Sequence, residues 1–138
     1  YKEVIGVAAS NHNGELANFS NQGLVMAPGG GADDTESSIT DINEVTAPGN
    51  DLSIYGMISL VPTTEPKFES GLAFWWGTSF SAPLVSGLAA LVQEKYRQIY
   101  GKGPQPAEVS ELIIRNAQQN VIDVQATLDA IRAGVPAV

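Results

Sequence analysis

The sequence predicts an α/β sandwich with a mainly parallel sheet, and three features lead there. Val4-Ile5-Gly6-Val7-Ala8-Ala9 is a continuous apolar run rich in β-branched residues, the pattern of a strand covered on both faces. Residues 79–100 place Leu84, Val85, Leu88, Leu91 and Val92 at helical spacing, with Ala82, Gly87, Ala89 and Ala90 between them. Apolar and small residues on every side predict a helix wrapped nearly all round. Strand signals precede helix signals along the chain, and 138 residues suffice for one layered domain.

Turn chemistry follows the first run at Asn11-His12-Asn13-Gly14, then two short extended pieces over residues 16–20 and 23–28. Residues 29–51 read as a long acidic loop, opening with Gly29-Gly30-Gly31. Strand character returns over residues 45–49 and 52–58. The two Ala-Pro-Gly units, at 27–29 and 47–49, suit strand exits, because Pro cannot pair in a ladder. The rest reads as helical. Gly101 ends the long helix, Pro106-Ala107-Glu108 opens a second with Val109, Leu112, Ile113 and Ala117 on one face, and a third spans about 124–132.

Composition narrows the function classes. Residues 1–66 hold one base, Lys2, against nine acids, and residues 67–138 are balanced, so the net charge of −8 lies entirely in the first part. Such a field repels nucleic acid and anionic lipid, which removes both as expected partners. No apolar stretch reaches the ~18 residues of a membrane span. The absence of cysteine excludes disulfides, thiolate metal sites and a cysteine nucleophile. The chain starts at Tyr1 without a signal peptide or an initiator Met, as a processed or trimmed chain does.

Gly77-Thr78-Ser79-Phe80-Ser81-Ala82-Pro83 carries the chemistry. A serine stands between a glycine turn and the first turn of an apolar helix. Unpaired N–H groups and the partial positive charge at a helix N-terminus stabilise an oxyanion forming beside Ser79. Pro83 is expected in that first turn, where its missing N–H is harmless. Ser and Pro alone describe an ordinary N-cap; the surrounding residues say more.

Gly77-Thr78-Ser79-x-Ser81-x-Pro83 followed by Leu84-Val85-Ser86-Gly87-Leu88-Ala89-Ala90-Leu91 resembles the nucleophile motif of the subtilases, the subtilisin-like serine proteases. Val7-Ala8-Ala9, then Ala17-Asn18-Phe19-Ser20-Asn21 before Ala27-Pro28-Gly29, resembles that family's strand and Phe-Ser turn. Val121-Ile122-Asp123-Val124-Gln125-Ala126 resembles its terminal helix. The resemblance implies a subtilisin-like three-layer sandwich, a serine endopeptidase acting on peptides or proteins through an acyl-enzyme on Ser79, and secretion. Its chemistry requires no cofactor.

In that family the catalytic order is Asp, His, Ser, so Ser79 is the last of the three. The Asp motif, the His-Gly-Thr motif and the oxyanion Asn all precede the position of Val4. The resemblance therefore implies that residues 1–138 are the C-terminal half of one catalytic domain, and that the N-terminal half is its partner. An inert fragment or a pseudo-protease serving as a binding module is the competing expectation. His12 with Asp33 or Asp51 and Ser79 makes a formal triad, but an exposed turn offers nothing to lock the imidazole. A Gly-x-Ser-x-Gly elbow fails, since Ser81 takes the last glycine's place and no His follows Ser79.

Phe80 stands where subtilisins commonly carry Met, which removes an oxidisable thioether. Trp75 and Trp76 offer apolar contact to substrate residues beyond the scissile bond, or pack in the core. Asp33, Asp34, Glu36, Asp41 and Glu44 supply hard oxygen ligands for a structural calcium ion, though their spacing matches no standard calcium loop. Asn18-Phe19-Ser20 forms a glycosylation sequon.

Overall fold

A computed structural model of the chain describes residues 3–30, 40–41, 56–62, 64 and 70–132. Strand β1 (Val7–Ser10) pairs in parallel with β2 (Val25–Pro28), Val7 opposite Val25 and Ser10 opposite Pro28. On the other edge of β2, Met26 bridges Val121 in parallel; its N–H donates to Asn120 O at 2.6 Å, and its carbonyl accepts from Ile122 N at 2.9 Å. The chain thus lays three parallel segments side by side. Close approach at this sheet requires a glycine at 23, where a Cβ would lie 2.5 Å from Ala8 N.

Helix α1 (Thr78–Tyr100) crosses both strands with Ser81, Val85, Leu88, Val92 and Tyr96 inward. That seam meets Val25 and Ala27 of β2, and Val109 and Ile113 of helix α2 (Pro106–Asn116), in one core. Gly101, at φ 69°, closes α1 by donating its N–H to Arg97 O. Glu108 starts α2: it accepts from Gln105 N at 2.6 Å and takes the Tyr96 hydroxyl at 3.3 Å, joining the two helices. Helix α3 (Val124–Asp129) is capped by Asp123, whose Oδ1 accepts from Ala126 N at 2.8 Å.

A second sheet precedes α1. Strands β3 (Thr40–Asp41), β4 (Met57–Leu60) and β5 (Leu72–Trp75) run antiparallel in the order β3-β5-β4. The sequence predicts loop over residues 40–41 and no strand over residues 72–75, because four residues are too short to show a period. β5 delivers Trp75 to the turn that starts α1.

Four expectations are corrected. The first strand begins at Val7, not Val4, and Val4 is exposed. Residues 16–20 form no strand: Leu16 makes one antiparallel bridge to Ser10, and a turn follows. The third helix stops at Asp129. Helix α1 is not wrapped all round. Ala82, Pro83, Leu84, Gly87, Ala90 and Leu91 form an exposed face among the described residues, with Leu91 at 50% exposure, and a Cβ on Gly87 would touch nothing. Small side chains on a helix permit a neighbour to approach, but the described residues provide none there. No helix among the described residues is long and apolar enough to cross a membrane.

Candidate active site

The strand exit at Ala27-Pro28-Gly29 and the start of α1 meet at the carboxyl end of the parallel strands, where open α/β sheets bind ligands. Gly29 N donates to Ser10 O at 3.1 Å, and Gly29 O accepts from Gly77 N at 2.8 Å. A Cβ on Gly29 would lie 2.4 Å from Ser81 Oγ and 2.6 Å from the Cβ of Ala9. Only a glycine fits between strand and helix at this contact.

Gly77 is the N-cap of α1, with φ 140° and ψ 156°, a backbone that suits glycine. It has no side chain with which to cap the helix, and the first turn holds no acidic residue. Phe80 N donates back to Gly77 O at 3.0 Å. Ser79, the second helical residue, is exposed. Its N–H belongs to the group that has no partner within the helix. The turn therefore presents a hydroxyl beside uncapped donors at a positive helix end, a geometry suited to an anionic oxygen.

Pro83 is the sixth residue of α1 and so lies in the second turn, correcting the expected first-turn position. An uninterrupted helix would give the carbonyl of residue 79 a hydrogen bond from the N–H of residue 83, and proline has none.

Trp75 stacks on Phe80 with ring centroids 5.4 Å apart and planes at 38°. Both Trp75 and Trp76 are half-buried, and their indole Nε1 atoms have no hydrogen-bond partner among the described residues. The Trp75 ring thus packs against the residue after Ser79. Ser81 lies two positions beyond Ser79 and points inward instead, at 0% exposure, with its hydroxyl unpartnered among the described residues.

His12 lies in an exposed turn organised by Asn11, whose Oδ1 accepts from Asn13 N at 2.9 Å and Glu15 N at 3.0 Å. The turn is built on asparagine chemistry. Asp33, Asp34, Glu36, Glu44 and Asp51, with the calcium reading built on the first of these, lie outside the described residues, and of Asp41 only the backbone is described. Among the described residues no cluster of His, Asp or Glu is able to hold a metal ion.

Sequence reasoning missed Asn21. Its Nδ2 donates to Thr78 Oγ1 at 3.1 Å, across 57 positions of chain. No local signal marks such a contact.

The sequence model of the subtilase family matches residues 1–134. Subtilisin-like protease SBT2.2 of Arabidopsis thaliana is 37% identical over 106 residues, covering 70% of this chain and 12% of that protein. The extracellular basic protease of Dichelobacter nodosus is 29% identical over 142 residues, covering 93% of this chain and 19% of its own length. Among solved structures, a lanthipeptide protease superposes with a TM-score of 0.67 at 19% identity, covering 91% of this chain and 40% of the other. The self-cleaved protease domain of PatA gives 0.61 at 23%, covering 94% and 42%. The chain thus spans less than a fifth of these curated relatives and under half of each solved neighbour, and it shares their α/β fold.

Proposed function

Since this chain belongs to the subtilase family, we propose that it is the C-terminal segment of a serine endopeptidase catalytic domain, with Ser79 as nucleophile. The exposed position of Ser79 at the uncapped start of α1 supports this reading most strongly. In the reaction, Ser79 Oγ bonds to the scissile carbonyl carbon while a histidine of the upstream segment takes its proton. The Ser79 N–H and an upstream Asn hold the oxyanion. The C–N bond then breaks, the histidine returns the proton to the leaving amine, and water hydrolyses the acyl-enzyme. Trp75 and Phe80 form an apolar wall for substrate residues after the scissile bond. The substrate is a peptide or protein, met outside the cell. The reading is tested by fluorophosphonate labelling of Ser79 with and without the upstream half.

The upstream half is proposed to cover the α1 face bearing Leu84, Gly87 and Leu91. An exposed apolar face favours association. The lone chain is therefore expected to self-associate in light scattering, and the double substitution Leu84→Glu and Leu91→Glu to reduce its mass toward the monomer. A monodisperse monomer of the unsubstituted chain would count against this assembly.

A further inference from the structure

We infer that Asn21 is a positioning residue for Ser79, tethering the turn that carries it. The inference rests on the reading of Ser79 as nucleophile. It starts from a conflict at the head of α1. A site for an oxyanion needs free N–H groups, so it cannot use a side-chain cap, and Gly77 supplies none. An uncapped turn entered through a glycine has little of its own to keep it in place.

Two contacts from outside hold it. Gly29 O accepts from Gly77 N at 2.8 Å, and Asn21 Nδ2 donates to Thr78 Oγ1 at 3.1 Å. The second acts at the residue immediately before Ser79. The tether holds the Thr78 side chain and with it the Cα from which the rigid 78–79 peptide plane, carrying the Ser79 N–H, departs. Asn21 works from a fixed base. Ser20 Oγ accepts from Ala9 N at 2.7 Å and donates to Asn21 O at 2.7 Å, while Ala17 N donates to Ala9 O at 2.9 Å. The Phe19-Ser20-Asn21 turn is thereby pinned to β1, and through Asn21 it carries the sheet's rigidity to the nucleophile turn. The tether leaves the N–H groups uncovered, which a cap would not.

The test uses the complete catalytic domain, this chain continuous with its upstream half. Asn21→Ala is expected to lower the maximal rate of fluorophosphonate inactivation about tenfold, with the probe's apparent affinity unchanged. In a Thr78→Val background the same substitution is expected to have no further effect, because its acceptor is gone. Hydrogen exchange gives a second readout: amides of residues 78–80 should exchange faster in Asn21→Ala, and those of residues 85–96 should not. Equal losses with and without Thr78→Val, a loss confined to affinity, or unchanged exchange and labelling would each overturn the tether. Faster exchange in a parent domain that never labels at Ser79 would overturn the catalytic role of the tether by removing the nucleophile, while leaving the contact itself intact.

Discussion

The chain alone is expected to leave a fluorophosphonate probe unreacted, whereas the same chain joined to its upstream half labels at Ser79. A serine hydroxyl at its ordinary pKa is a poor nucleophile, and a helix N-terminus stabilises the oxyanion without removing the serine proton. That removal requires an imidazole held by a carboxylate. In subtilisin itself, loss of the serine or the histidine lowers turnover by about 10⁶. A difference of similar size is expected between the joined and lone forms, and Ser79→Ala should abolish labelling of the joined form. Labelling of the lone chain at Ser79 would mean that a base lies within these 138 residues, and His12 is their single histidine. A joined form that folds but does not label would favour a pseudo-protease.

Different parts of this site were visible in the sequence for different reasons. Ser79 and its glycine turn are contiguous, and the helix behind them has a regular apolar seam, so local pattern was enough. Strand β5 was not legible. Leu72–Trp75 is four residues between Gly71 and Gly77, and alternation cannot show over so short a run. The exposed face of α1 was read as covered because Ala82, Gly87 and Ala90 are small and apolar. Composition records what a face could pack against and not whether a neighbour is present. Pro83 is expected in the first turn, and the start at Thr78 makes it the sixth helical residue, in the second. Asn21 was legible only as part of a turn motif. Its contact with Thr78 joins the β1–β2 connection to the turn before α1, which Gly77 N and Gly29 O hold at the exit of β2.

Gly29→Ala is expected to damage stability and labelling together, because one methyl group would enter the contact between the strand exit and helix α1. The added Cβ would fall 2.4 Å from Ser81 Oγ, 2.6 Å from Ala9 Cβ and 3.0 Å from Gly77 O. Ala9 has no rotamer to change, and Ser81 is fully buried, so the strand exit and α1 must separate. Overpacking of this kind costs about 3 kcal/mol at the upper end of its usual range, and Tm falls with it. Gly77 hangs from the Gly29 carbonyl, so the same movement shifts the turn that carries Ser79. A displacement near 1 Å lowers the labelling rate of the complete domain about 100-fold. Ser81→Ala separates the two causes. Alone it removes a buried hydroxyl that has no partner among the described residues, and Tm should hold or rise. Combined with Gly29→Ala it removes the shortest clash and leaves the one with Ala9, so Tm should recover in part. Were Gly29→Ala to match the parent in both Tm and labelling, the strand exit and the helix would not be as close as this contact requires.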